Sequence, residues 1–206
     1  MIKLLSPLAY RVLPWKNGGG STTEIAVDPD GAAWDAFNWR VAIADIRESG
    51  PFSSFPGIDR SIALLESPEG IPAPAMELKI DGRRVPMHPR TFIDFTGEAA
   101  TEGILYEGLQ GGVIRDFNVM SRRGVVRHRR GWHPMSPGEV HRMGGVDTRL
   151  VYVASGTADM LDPMSTRTLT RTISTGESVI AWGEETIELR AGPAGAQVVW
   201  VVFSPA

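Results

Sequence analysis

Hydrophobic and polar positions in this chain change over short distances. Residues 39–46 (Trp-Arg-Val-Ala-Ile-Ala-Asp-Ile) put Trp39, Val41, Ile43 and Asp45 on one side of an extended strand and Arg40, Ala42, Ala44 and Ile46 on the other. Residues 115–120 alternate in the same way, with Asp116, Asn118 and Met120 opposite Phe117 and Val119. Short apolar runs at 61–65, 76–80, 150–154, 178–182 and 197–203 complete the pattern. The last run, Gln197-Val-Val-Trp-Val-Val-Phe203, is the most apolar, and it predicts a strand in a sheet interior. The 23 glycines and 15 prolines interrupt the chain too often for long helices. Many short strands between turn signals predict an all-β chain built from barrels or sandwiches.

Residues 1–206 are expected to form one unit with two β-rich halves, about 1–115 and 116–206. The stretch 121–149 between the strand groups reads as irregular and basic, with Arg122, Arg123, Arg127, Arg129, Arg130, Arg142 and Arg149. It predicts a solvated face or an oligomer contact, such as that of a homodimer. Hydrophobic residues make up 42% of the chain and the net charge is −3. That balance argues against disorder and gives no general attraction to nucleic acid or anionic membranes. No apolar run reaches the roughly 18 residues of a membrane span, and the first residues, soon broken by Pro7, do not form a signal peptide. A cytoplasmic protein is expected. The lack of cysteine excludes disulfides, thiolate metal sites and cysteine nucleophiles.

The segment Trp15-Lys-Asn-Gly-Gly-Gly-Ser-Thr-Thr-Glu24 carries the strongest chemical signal. Three consecutive glycines need a reason, either a turn with positive φ or a backbone in close approach to something else. Neither a Walker loop nor a dinucleotide fingerprint fits their spacing. Trp15, Asn17, Thr22 and Glu24 around Gly18, Gly19 and Gly20 offer an aromatic wall, an amide, a hydroxyl and an acid, a mixture suited to a small polar ligand. Arg40, beside two alanines, has room for its guanidinium to meet a carboxylate, either of a ligand or of an acid on another strand. Glu24 and Asp116 are the protein candidates for that acid. The loop 49–60, with Ser53, Phe55 and Arg60, reads as structured and aromatic-anchored, and only one of Asp59 and Arg60 is able to face a given cavity. Asp116 and Asn118 either fix a ligand or tie down Arg40. The four histidines, His88, His128, His133 and His141, contain no H-x-H, so no metal site and no cofactor are expected.

Five motifs in order, W-K-N-G-G-G-x-T-x-E-I at 15–25, W-R-x-x-I-A at 39–44, G-P-F-S-x-F-P-G-x-D-R at 50–60, F-x-G at 95–97 and D-F-N-V-M-x-R-R at 116–123, resemble the HutD/Ves family. The resemblance implies a bicupin, two cupin-type β-barrels packed together, without a catalytic metal. It also implies an association with histidine utilisation through a small bound metabolite. Ala42 stands where the family commonly has serine. The expected ligand is a small anionic metabolite such as urocanate, formate or a formylated glutamate-like compound. Its expected binding residues are Trp15, Asn17, Gly18, Gly19, Gly20, Thr22, Glu24, Arg40, Ser53, Phe55, Arg60, Asp116 and Asn118, with Arg40 on the carboxylate. A metal-independent enzyme using Glu24 or Asp116 as base, and a structural or interaction protein, are the alternatives.

Overall fold

The computed structural model describes residues 1–15, 18–66, 74–109, 112–162 and 165–206. The chain divides into two compact units, one of Met1–Tyr10 with His128–Pro205, the other of Arg11–Arg127 with Ala206. The division falls later than residue 115 because the strand Ile114–Arg122 is central to a sheet of the second unit.

In the 128–205 unit the sheet order is Ile2–Leu5, Ser178–Ala181, Thr148–Asp162, Ile187–Pro205, Val126–Met135, with Val140–Met143 and Ser165–Ser174 as side branches. The C-terminal run lies inside this sheet, between the 148–162 and 126–135 strands, as its apolar character predicts. Val151, Val153, Val179, Ile187, Leu189 and Val198 form the centre of its core. The 121–149 stretch is not irregular, since it contains the strands Val126–Met135 and Val140–Met143. Arg127 and Arg129 take the exposed positions of a period-2 alternation, so a basic stretch still forms a strand.

The 11–127 unit holds two antiparallel sheets. The larger has the order Arg11–Pro14, Gly20–Asp28, Trp39–Ile46, Ile114–Arg122, Ile58–Leu64, Ile93–Thr96. The smaller has the order Gly50–Pro51, Thr101–Leu105, Met76–Ile80, Arg83–Met87. Its central pairings follow the alternation of the sequence. Ile114 lies opposite Ile46, Asp116 opposite Ala44, Asn118 opposite Ala42 and Met120 opposite Arg40. On the other side Asp116 meets Leu64, Asn118 meets Ile62 and Met120 meets Arg60.

One face of this sheet therefore changes character along its strands. At one end Ala44, Ile46, Ile62, Leu64 and Ile114 pack with Met76, Leu78 and Met87 of the smaller sheet into a core. At the other end the same face presents Arg40, Arg60, Asp116 and Asn118. Charged side chains do not close into an apolar core, and that end holds a cavity.

Candidate functional site

The cavity has a volume of about 720 Å³ and lies entirely within the 11–127 unit. Its polar lining includes Thr22, Arg40, Ser53, Ser54, Arg60, Asp116 and Asn118; its apolar lining includes Trp15, Trp34, Phe52, Phe55 and Met120. The register explains the assembly. Arg40 and Arg60 flank Met120 from the two neighbouring strands, so their backbones are two strand spacings apart, roughly 10 Å.

Arg60 is almost fully buried, inside a cage of rings. Its guanidinium carbon is 5.4 Å from the Phe52 ring centre, 5.6 Å from Phe55 and 4.9 Å from Phe95. Ring faces attract the cation but accept no directed hydrogen bonds from its edge. The one hydrogen bond described for it is long, from Nη1 to the Ser53 carbonyl at 3.5 Å, and Nε has no partner. Burial lowers the Arg60 pKa to about 10, against the opposing pull of Asp116, while the charge of Arg40 lowers it further. Asp59, its sequence neighbour, points away and pairs with Arg123 at 2.8 Å. Of the two, Arg60 is the one that faces the cavity.

Arg40 lines the cavity too, but an acid already meets it. Its Nε lies 2.8 Å from Glu24 Oε2, and Glu24 Oε1 lies 2.9 Å from Nη2 of Arg11. The contact with Arg40 is a close charge pair whose N–H is not directed at the oxygen, so Nε lacks a well-formed hydrogen bond. Burial lowers the Arg40 pKa and Glu24 opposes the shift. Glu24 is held between two arginines and is not among the lining residues. Its place is behind Arg40, which answers the choice between Glu24 and Asp116 as Arg40's acid.

Asp116 is completely buried, and neither carboxylate oxygen receives a hydrogen bond. Burial raises its pKa to about 7; Arg60 and the nearby Ala44 backbone N–H act in the opposite direction without restoring it to the usual range, and Asp45 adds to the rise. The Ala44 N–H favours the charged form without making a well-formed hydrogen bond to either oxygen.

The glycines do a different job from the one expected of them. Among the described residues lining the cavity there is no glycine. Gly18 is exposed with φ of 74° and makes the turn. Gly20 is in close approach, because a Cβ there would lie 2.2 Å from the Asp45 carbonyl and 2.9 Å from the Trp15 ring. The backbone approaches Trp15, and Trp15 lines the cavity, its Nε1 donating to Thr22 Oγ1 at 2.9 Å. Asn17 lies outside the described residues. Pro14, Trp34, Pro51, Phe52 and Met120 line the cavity without having been expected there. Met120 shared a face with Asp116 and Asn118 in the sequence, and that parity was the available signal. Nothing in the sequence pointed to Trp34, which reaches the cavity edge-on to Phe55 with ring centres 6.0 Å apart.

Among the described residues no group of three or more His, Cys, Asp or Glu side chains is arranged to hold a metal ion. No helix among them is long and apolar enough to cross a membrane, which says nothing of strands.

The HutD family model matches residues 8–199. The chain belongs to the HutD family. It is 37% identical over 155 residues to an uncharacterised 21.2 kDa protein in the hutC 3' region of Pseudomonas putida, covering 75% of this chain and 74% of that one. Protein Ves of Citrobacter koseri is 38% identical over 113 residues, about half of each chain. The structure of HutD from Pseudomonas fluorescens SBW25, in a formate condition, superposes with a TM-score of 0.77 at 28% identity, over 100% of both chains. A cupin 2 conserved barrel domain protein from Leptotrichia buccalis, 10% identical with a TM-score of 0.56, covers 89% of this chain and 88% of its own. That likeness concerns the fold alone, which is cupin-type and all-β.

Proposed function

We propose that this HutD-family protein binds a small carboxylate metabolite in the cavity of the 11–127 unit and moderates histidine utilisation without catalysing a reaction. Arg60 is the principal anchor and Arg40 the second cation. The observation that carries this reading is the state of Arg60: buried, caged by three rings, with no carboxylate among the described residues in contact and with Nε unpartnered. A buried guanidinium in that condition is costly, and an anionic ligand supplies the missing acceptors in the bidentate geometry a guanidinium favours. The formate condition of the Pseudomonas fluorescens HutD structure is in keeping with a small carboxylate. Urocanate, formate and an N-formylated glutamate are the ligands to test first. The cavity itself argues against a purely structural role, since it holds unpaired polar atoms and about 720 Å³ of space.

Asp116 supports a second reading. A buried carboxylate with a pKa near 7 lining a cavity suits a general base, and a metal-independent enzyme acting on a small carboxylate would use it so. Glu24 does not share that role, being held between Arg11 and Arg40.

A thermal-shift screen of the three carboxylates separates the outcomes. A ligand at a hundred times its dissociation constant adds about 2.7 kcal/mol of stability. A shift with the ligand recovered unchanged supports the binder, and conversion of the ligand supports the enzyme. No shift with any of the three removes the carboxylate assignment.

A further inference from the structure

The inner part of the cavity contains acceptors without a well-formed hydrogen bond. Asp116 Oδ1 and Oδ2 have no hydrogen-bond partner, and neither does Asn118 Oδ1 two residues further along the same face. Asp116 is fully buried and Asn118 is 9% exposed, and both line the cavity. Their cross-strand neighbours explain the deficit. Asp116 lies between Ala44 and Leu64, and Asn118 between Ala42 and Ile62. None of those four side chains carries a donor. The cavity cations do not fill the gap either: Arg60 attracts Asp116 through space but forms no ion pair with it, and Arg40 is taken by Glu24. Buried acceptors are rarely left in this condition, because the lost hydration is not replaced.

We propose that Asp116 and Asn118 form a donor-recognition subsite that selects ligands carrying an N–H group in addition to the carboxylate held by Arg60. The proposal rests on the carboxylate-binding reading and narrows it. The ligand class is a small amphoteric molecule with a carboxylate at one end and a ring or amidine-type N–H at the other. A simple monocarboxylate such as formate occupies only the arginine end. A site built to pair with polar hydrogens rejects an isostere that lacks them far more strongly than an apolar pocket rejects a change of shape, because its own buried groups are then left unpaired. The apolar neighbours Ala42, Ala44, Ile62 and Leu64 sharpen this choice by offering the ligand no alternative polar partner.

Calorimetry with urocanate and 3-(2-furyl)acrylate is the test. The two share an acrylate carboxylate and a five-membered ring, but only the imidazole carries N–H. The parent protein is expected to bind urocanate at least tenfold more tightly. Asp116→Asn and, separately, Asn118→Leu are expected to reduce that preference, read as the ratio of the two affinities in each protein, to about threefold or less. Two variants are used so that a folding defect in one leaves the other to decide. Equal binding of both probes by the parent, abolished in Arg60→Lys, overturns the donor subsite and leaves the carboxylate site standing. A preference that survives in both folded variants also overturns the subsite. Failure of both probes to bind the parent overturns the carboxylate reading and the subsite with it.

Discussion

Glu24 Oε2 lies 2.8 Å from Arg40 Nε across adjacent strands, and the same carboxylate holds Arg11 with its other oxygen. This arrangement settles the acid behind Arg40 and separates the two cavity arginines by their prior commitments. Arg40 is a cation with a partner. Arg60 has rings around it and, among the described residues, no acid in contact. An anionic ligand therefore gains more from Arg60.

Replacing Glu24 by Gln leaves Arg40 buried without its counter-charge. Removing one member of a buried pair commonly costs about 3 kcal/mol. Urea unfolding of Glu24→Gln should show a loss of that order. Carboxylate affinity should be maintained, since Glu24 does not line the cavity. A more than tenfold loss of affinity in the folded variant would return Glu24 to the binding site.

Gly18 and Gly20 should respond differently to alanine. At Gly18 nothing lies within 4 Å of an added Cβ, and only the positive φ is strained, at a cost of about 1 kcal/mol. At Gly20 the added Cβ meets the Asp45 carbonyl and the Trp15 ring, and overpacking of this kind costs about 2 kcal/mol or more. Tryptophan fluorescence and ligand affinity should change in Gly20→Ala and hold in Gly18→Ala. Equal effects on affinity would contradict the assignment of Gly20 as the support of Trp15.

The buried carboxyl of Asp116 makes stability depend on pH in a defined direction. Its folded pKa, near 7, lies above the unfolded value of about 3.9, so between those values the folded protein binds more protons than the unfolded chain. Stability attributable to this group is greatest below about pH 4, falls as pH rises and is lost once pH passes 7. Asp116→Asn has no proton to lose there. Its melting temperature, measured relative to the parent between pH 5 and 8, should rise with pH and level off above about pH 7. A flat difference would show that Asp116 is ionised throughout.

Much of this site was legible because strand parity is strict. Trp39–Ile46 and Met76–Ile80 have the bounds the pattern gives, and the faces of Arg40 and of Asp116 with Asn118 follow from alternation alone. The choice of anchor was not legible. Arg40 and Arg60 are both arginines on alternating strands, and only cross-strand register shows that Glu24 reaches one while Phe52, Phe55 and Phe95 enclose the other. The triple glycine was read as a ligand contact because close backbone approach has the same sequence signature whether the neighbour is a metabolite or Trp15. The 121–149 stretch was read as irregular because its clustered arginines mask a two-residue alternation in which Arg127 and Arg129 take exposed positions. Long strands such as Thr148–Asp162 were read as shorter ones because register shifts around Gly156 let the strand continue through a residue that usually ends it.

The most direct measurement is a calorimetric titration of urocanate into the parent protein and into Arg60→Lys, with melting curves confirming that both are folded. Lysine keeps the positive charge within the ring cage but loses the planar fork. The account predicts binding to the parent and at least a tenfold weaker affinity in the variant, equivalent to about 1.4 kcal/mol. Binding of equal strength in both proteins would contradict the central claim that Arg60 anchors the carboxylate.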